Sequence, residues 1–573
     1  MRRSNVVVVT AAGALALLAS SGVATAPVAG AGPSPTATPG PTGGGELVVA
    51  FEGDAQRAAD AVAAAGGTVV DVNERLDIAL VEATSSSFAT DVRASGVVTA
   101  VARNHSVGSA RPGQPHRVVE ERPTVAERAV TAGRPGRAGP GGGRREPLAH
   151  LQWDMAQMRT DAAHRRATGR GVTVGIIDTG IDASHPDLAA NVDVGLSRNL
   201  TTDIPAIDGP CEVPTCVDPV DVDEGGHGTH VAGIVAADDD GLGIEGVAPD
   251  ATLVNVRAGQ DSGYFFLYET VGALTYAADA GLDVVNMSFY TDPWLYNCDS
   301  PDDYVSGPVT EEQLAEQAFV KETVTAALED AHARGVTLVA AAGNEATDLA
   351  APTRADATSP DHPAGGEVER VVTRDCPDLP AEGPHVVTVS STGPSRTKAD
   401  YSSYGEGVVD VAAPGGYARD LFGTPGFDAP GNRVLSSFPL AVAVAEGLVD
   451  EGGVPVDDFS RTSCDRGGRT CGVYTYLQGT SMAAPHVAGL AALVIERYGA
   501  GTPGHGHSMD PDAVVDRIER TAADTPCPPG GVEDYADEGR PPEWNATCTG
   551  GAADNGFYGE GIVDAAAAVA SRR

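Results

Sequence analysis

The stretch VTVGIID, Val172 to Asp178, is a near-continuous apolar run that ends in a carboxylate. A strand with one wet face alternates apolar and polar residues, whereas a run of this kind belongs to a strand buried on both faces of a parallel sheet. TLVNV (Thr252 to Val256), DVVNMS (Asp283 to Ser288) and TLVAAAGN (Thr337 to Asn344) repeat the pattern. Helical segments separate them, at Thr229 to Ala237, Tyr268 to Ala280 and Val320 to Arg334. Strand-helix alternation predicts an α/β fold with a doubly wound parallel sheet. Such sheets gather their chemistry outside the carboxyl ends of the strands. Asp178, Ser288 and Asn344 all fall at those ends.

Upstream, Glu46 to Val107 reads as a separate unit. Its apolar runs and one amphipathic helix follow the order β-α-β-β-α-β, a small ferredoxin-like domain at 46–108. Residues 1–26 carry Arg2 and Arg3, a short apolar stretch and Ala24-Thr25-Ala26, the layout of a secretory signal peptide. A Pro/Thr/Gly spacer covers 27–45. Residues 109–147 are rich in Arg, Pro and Gly, include Arg144-Arg145 and lack any helical or strand period, which predicts an exposed, cleavable linker. The large domain then spans 148–573.

The chain has 573 residues and a net charge of −41. That balance argues against nucleic acid or an anionic membrane as the main partner, because phosphate binding needs clustered Lys and Arg. No later stretch is apolar and long enough for a transmembrane helix, so a secreted, extracellular protein without a membrane anchor is expected. Export makes the eight cysteines meaningful, since an even count in an oxidising compartment favours disulfides. Cys211 and Cys216, Cys464 and Cys471, and Cys527 and Cys548 are neighbours in sequence, which would leave Cys298 and Cys376 for each other. Sequence alone does not establish this pairing. Zinc is disfavoured because paired CxxC motifs are absent.

Three short segments carry the chemistry. IIDTGIDASHPDL places Asp178 at a strand end, GGHGTHVAGIVAA places His227 at the start of a small-residue helix, and GTSMAAPHVAG (Gly479 to Gly489) places Ser481 at the start of another. Singly, each residue reads as a turn or cap. Together they are the set a hydroxyl nucleophile needs: an imidazole to take its proton and a carboxylate to orient that imidazole. The chain resembles the subtilisin-like serine peptidases, the subtilase superfamily, whose chain order Asp, His, Ser is the one seen here. The resemblance covers roughly Leu151 to the C-terminus and implies a subtilisin-like fold.

The resemblance also implies roles. Ser481 would attack the scissile carbonyl, His227 would act as general base and then acid, and Asp178 would hold the imidazole. Asn344 in AAAGNE would donate to the oxyanion. Ser481 at a helix N-terminus would add backbone N–H groups and the positive dipole end. Pro485 would fall early enough in that helix to lose little hydrogen bonding. Substrate would lie as an added strand between segments near Ser262-Gly263-Tyr264 and Ser288-Phe289-Tyr290. The second segment departs from the family, which usually continues with glycines, and a long insertion at about Thr347 to Pro384 follows. Glu345 would favour a basic substrate side chain or be an exposed loop carboxylate. No metal or cofactor is expected in the chemistry; Asp187 and Asp240 would be carboxylate ligands of a structural calcium or parts of a solvated acidic turn.

By the same resemblance the N-terminal domain would be an inhibitory, chaperone-like propeptide, the alternative being a retained accessory domain. The expected product is a secreted serine endopeptidase, a monomer made as a zymogen, whose partners are polypeptide substrates and its own propeptide. The alternative is a dedicated processing peptidase acting on one or a few leader or precursor peptides.

Overall fold

The computed structural model describes residues 45–104, 146–307, 309–352, 355–357, 369–502 and 506–571. The signal-peptide reading, the spacer through residue 44 and the linker through residue 145 lie outside the described residues.

The first unit is the ferredoxin-like domain. Strands β1 (Gly45–Phe51), β2 (Gly67–Asn73), β3 (Ile78–Ala83) and β4 (Val98–Arg103) form one antiparallel sheet in the order β2-β3-β1-β4. Helices α1 (Ala55–Ala64) and α2 (Phe88–Arg93) cross between them. Asp54 starts α1 by accepting the Gln56 N–H at 2.8 Å, which satisfies one of the orphan donors of the first turn. Val49, Val81, Val62, Phe88 and Val92 form the small core on the helical side. The other face of the sheet is also apolar. Val48, Ile78, Leu80 and Ala102 belong to a cluster with Phe265, Val271, Leu274 and Phe319 of the large domain.

The large domain is built on a seven-stranded parallel sheet. Its strands are β5 (Thr173–Asp178), β6 (Arg198–Asn199), β7 (Thr252–Arg257), β8 (Val284–Met287), β9 (Thr337–Ala341), β10 (Val386–Thr392) and β11 (Val411–Pro414), ordered β11-β10-β9-β8-β5-β7-β6. Every pairing is parallel. The four runs singled out in sequence are β5, β7, β8 and β9. Helices α3 (His227–Ala236) and α6 (Thr480–Tyr498) pack on one face, α4 (Leu267–Ala280) and α5 (Glu311–Ala333) on the other. Helix α6 is buried from Thr480 to Ile495, as a helix apolar on all sides must be. The chain leaves β7 on one side of β5 and re-enters as β8 on the other. The crevice at the carboxyl ends of β5 and β8 is therefore the topological switch point where such sheets bind ligands.

Helix α5 begins at Glu311, nine residues before the helix expected from Val320. Its extra turns carry Glu311, Glu312 and Gln313 behind a Thr310–Gln313 capping box. Polar residues there hid the helical period, while the cap itself is the start signal. A second, antiparallel sheet, with Val434–Phe438 and Ser460–Cys464 flanking Cys471–Leu477, packs behind α3. Four disulfides join Cys211 to Cys216, Cys298 to Cys376, Cys464 to Cys471 and Cys527 to Cys548, the arrangement laid out from sequence neighbours. Among the described residues, no helix is long and apolar enough to cross a membrane.

Candidate active site

Asp178 is the last residue of β5 and is fully buried. His227 is the first residue of α3, and its Nδ1 lies 2.6 Å from Asp178 Oδ1. Glycine makes this approach feasible. A Cβ on Gly228 would meet the Gly180 carbonyl oxygen at 2.1 Å and Asp178 Cβ at 3.0 Å. Gly180 itself sits at φ +144°, where a Cβ would strike the Val222 carbonyl oxygen at 2.6 Å.

Asp223 fixes the same corner, and the sequence reading missed it. One of its oxygens accepts from Thr179 Oγ1 at 3.0 Å and from the Gly226 N–H at 2.8 Å. The other accepts from the Thr229 N–H at 2.9 Å and its hydroxyl at 2.6 Å. It thus binds the DTG turn to the first turn of α3, where orphan N–H groups and the dipole favour a carboxylate. Burial pushes its carboxyl above the usual range, and these hydrogen bonds pull it back. The legible signal was an acidic residue four positions before the helix-starting His227.

Ser481 is the second residue of α6 and faces the carboxyl end of β8, its Oγ 3.3 Å from the Ser288 carbonyl oxygen. Pro485 lies inside α6, so the Ser481 carbonyl has no N–H four residues on. Ser288 Oγ donates to that carbonyl at 3.0 Å, and Asn286 Nδ2 donates to Ser288 Oγ at 2.8 Å. The bond that Pro485 removes is therefore replaced from β8.

Asn344 follows β9. Its Oδ1 accepts both the Thr480 N–H and the Thr480 hydroxyl at 2.9 Å, which fixes the carboxamide with its NH2 at the other end. A Cβ on Gly479 would fall 3.6 Å from both Asn344 Nδ2 and the Ser481 nitrogen, so glycine leaves room between these two donors. Thr480 as the clamp on Asn344 was a second omission of the sequence reading, although it adjoins Ser481.

His227, Ser481, Asn344, Gly263, Ser288 and Phe289 all line one cleft. Ser262 does not line it; its N–H and hydroxyl donate to Asp208 Oδ1 at 3.1 and 2.6 Å. Phe289 stacks on Phe265 with ring centroids 4.1 Å apart, so the segment that departs from the family pattern forms an aromatic wall. Tyr290, Asp292, Glu345 and Asp378 line the same cleft.

Two groups of carboxylates bear on metal binding. Asp187 is buried; its Oδ2 accepts the Ile244 N–H at 3.0 Å and its Oδ1 has no hydrogen-bond partner. Burial pushes Asp187 up to about 8, and the charges of Asp240 and Glu146 add to this. Burial likewise raises Glu146 to about 8, and it raises Asp240 too. Orphaned buried oxygen beside two more carboxylates fits a hard divalent cation. Glu146 was not singled out in sequence. In the second group, Asp203, Asp218 and Asp261 surround the buried guanidinium of Arg257, which serves as their cation.

Comparison with known proteins agrees with this architecture. The Subtilase family profile matches residues 169–561, and the fervidolysin N-terminal prodomain profile matches 39–112. Subtilisin DY of Bacillus licheniformis is 29% identical over 330 residues, 58% of this chain and 78% of that protein. Subtilisin NAT of Bacillus subtilis subsp. natto is 28% identical over 373 residues, 65% of this chain and 66% of that one. Among solved structures, the epidermin leader peptide processing serine protease of Staphylococcus aureus superposes with a TM-score of 0.58 at 20% identity, covering 92% of this chain and 98% of its own. Fervidolysin of Fervidobacterium pennivorans superposes with a TM-score of 0.53 at 21% identity, covering 94% and 62%. The family match spans most of the chain and contains all three segments built around Asp178, His227 and Ser481: the chain belongs to the subtilase family and is a subtilisin-like serine peptidase with a fervidolysin-like prodomain.

Proposed function

We propose that this chain is a secreted serine endopeptidase, made as a precursor, that hydrolyses peptide bonds through Asp178, His227 and Ser481. The observation that carries the reading is the 2.6 Å His227–Asp178 contact at the rim of the cleft that Ser481 and Asn344 also line. Asp178 accepts from Nδ1–H, which leaves Nε2 as the basic nitrogen. Nε2 takes the Ser481 proton as Oγ adds to the scissile carbonyl, then returns it to the leaving amine. The oxyanion draws on Asn344 Nδ2 and the Ser481 N–H, both aimed before the reaction begins. Water then repeats the sequence on the acyl-enzyme. No cofactor enters these steps.

Asp187, Glu146 and Asp240 would hold a structural calcium, which would supply charge neutralisation and tie the start of the large domain to the loop after α3. The ferredoxin-like domain acts as inhibitor and folding partner until the linker is cut, and the mature enzyme works as a monomer outside the cell. The eight paired cysteines support export.

The test is N-terminal sequencing and intact mass of the secreted protein, wild type beside Ser481→Ala. Wild type should begin within about Arg134 to Trp153, and the variant should keep its first domain. Equal processing of both, with no fluorophosphonate labelling of wild type, would remove the proposal. A second reading, a processing peptidase for one or a few precursors, is favoured by the Phe265–Phe289 wall and by the likeness in fold to the leader peptide processing protease of Staphylococcus aureus. Ready digestion of casein would count against it.

A further inference from the structure

We propose that His332, His385 and Asp512 form a binding site for one zinc-type divalent cation, at the end of the sheet opposite the cleft. A ring nitrogen of each histidine and a carboxylate oxygen of Asp512 all lie within 4.8 Å of one another. His332 Nε2 is 2.9 Å from Asp512 Oδ1. The two imidazoles lie face to face, with centroids 3.7 Å apart and planes 6° from parallel. Ligands about 2.0–2.1 Å from a tetrahedral zinc stand roughly 3.3 Å from one another. The trio already spans that separation, so small side-chain rotations close it on an ion. Two imidazoles and one carboxylate suit zinc and its neighbours among the transition metals, whereas calcium and magnesium prefer oxygen alone.

The fold gathers these residues from three segments. His332 sits in the last turn of α5, which leads into β9, and His385 is the residue before β10. These strands are parallel neighbours with Leu338 opposite Val386, so their entry segments meet. Asp512 stands in the first turn of the helix Pro511–Glu519, whose Val514 and Ile518 join the buried cluster around α6. Asp510 caps that helix by accepting the Ala513 N–H at 3.3 Å, which leaves Asp512 out of the cap. The Asp512 side chain is 76% exposed and still turns onto His332. His385 holds a left-handed φ of +62°, uncommon for a residue with a Cβ and characteristic of ligand clamps. The last carbonyls of α5 add partial negative charge beside His332, which favours a cation.

Stacked imidazoles repel if both are protonated, whereas two neutral rings can turn lone pairs to one shared ion whose charge Asp512 helps to balance. Three groups of close ligand atoms occur among the described residues, and this alone contains histidine. His332 and Asp512 are 180 residues apart in sequence, so no local spacing announces the site. The missing paired CxxC motifs speak only against thiolate zinc. The ion's effect is mechanical: it ties α5, the entry to β10 and the helix Pro511–Glu519 together, and it takes no part in peptide-bond cleavage.

Calorimetric titration of zinc into the untagged full chain carrying Ser481→Ala, with excess calcium to fill oxygen-ligand sites, tests the proposal. One tight equivalent is expected. His332→Gln, His385→Ala and Asp512→Asn, each added to that chain, should weaken it by about tenfold or more. Glutamine at 332 keeps an N–H for Asp512, so a loss there reports ligation rather than the hydrogen bond. Cobalt in place of zinc should give the visible absorption of a tetrahedral complex, and His385→Ala should abolish it. Zinc at a hundredfold above its dissociation constant should make unfolding about a hundredfold less favourable, a gain that the three variants lose. Melting curves recorded without zinc check that the variants fold. Absence of a tight equivalent, or binding that is equal in the parent and all three variants as for an adventitious ion, overturns the proposal. The readout is metal binding, so the result stands whether or not the chain cleaves peptides.

Discussion

Glu269 makes the grip of the prodomain depend on pH. It lies in the first turn of α4 and is only 5% exposed beneath Asn104 at the end of β4. Asn104 Nδ2 donates to its carboxylate oxygens at 3.1 and 3.3 Å, and Asn104 Oδ1 accepts the Tyr268 N–H at 2.9 Å. Burial pushes Glu269 up from 4.5 to about 7; its own backbone N–H and Asn104 oppose this, and the nearby Glu46 charge reinforces it. Glu46 is raised by burial as well. Once the prodomain leaves, solvent returns Glu269 towards the ordinary carboxylate value. The docked state therefore keeps a proton that the undocked state has lost. Affinity is full below about pH 4.5, falls as pH rises through about 7, and is flat above it. A displacement of this size corresponds to about 3 kcal/mol, on the order of a hundredfold in affinity as a ceiling. The Arg103–Glu316 ion pair at 3.2 Å also joins the two units, but Arg103 is raised rather than lowered and stays charged, so it adds no slope here. The assay titrates separately made prodomain into mature Ser481→Ala protein by calorimetry between pH 5 and 8. The dissociation constant should climb across that range, and Glu269→Gln should flatten the curve. A constant affinity, or an equal slope in the Gln variant, would refute the reasoning.

Four further outcomes are expected. Asp178→Asn should lower kcat by about four orders of magnitude with little change in KM, because it holds the wrong imidazole tautomer, as steady-state kinetics would reveal. Asn344→Ala should lower kcat by about a hundredfold to a thousandfold, since it removes an oxyanion donor and leaves ground-state binding alone. Ser288→Ala should lower the melting temperature by an amount equivalent to about 1–3 kcal/mol, the penalty for a buried carbonyl left without a donor beside Pro485; an unchanged melting curve would show that α6 tolerates the gap. Chelation should lower the melting temperature of the mature enzyme, with excess calcium at a thousandfold above its dissociation constant restoring about 4 kcal/mol, and Glu146→Gln should blunt that response.

Much of this was legible because buried parallel strands advertise themselves. Val172 to Asp178 could be read as buried on both faces, since before Asp178 only Thr173 breaks its apolar run, and Asp178 at its end followed as a strand-end residue. The prodomain was equally plain, its elements being short and joined by short connections. Reading failed where a residue's partner lies far away in the chain. Thr480 clamps Asn344 across 136 residues and Ser288 serves the Ser481 carbonyl across 193, distances that no periodicity encodes. Asp223 failed differently: its signal was local, but an acid before a helix usually caps and goes no further. Ser262 shows another limit: an edge-strand position does not dictate which way a side chain turns, and here Asp208 accepts from its hydroxyl.

These omissions share a logic. Asp178, His227, Ser481 and Asn344 stand on four different elements, and each is held by a neighbour from yet another segment. Asp223 couples the β5 turn to α3, Thr480 couples α6 to the loop after β9, and Ser288 couples β8 to α6. The reacting groups are thus locked pairwise through polar contacts among residues whose motions would otherwise be independent. Loss of one lock should loosen a single group while the sheet stays intact. Asp223→Ala would free His227 and depress kcat with the oxyanion donors undisturbed, whereas Thr480→Ala would free Asn344 and spare the His227–Asp178 pair. If the two losses multiply in the double variant, the locks act independently, as sites without a shared partner should. If the double variant is no slower than the worse single one, the cleft is a single cooperative unit, and the separate roles assigned to Asp223 and Thr480 fall together.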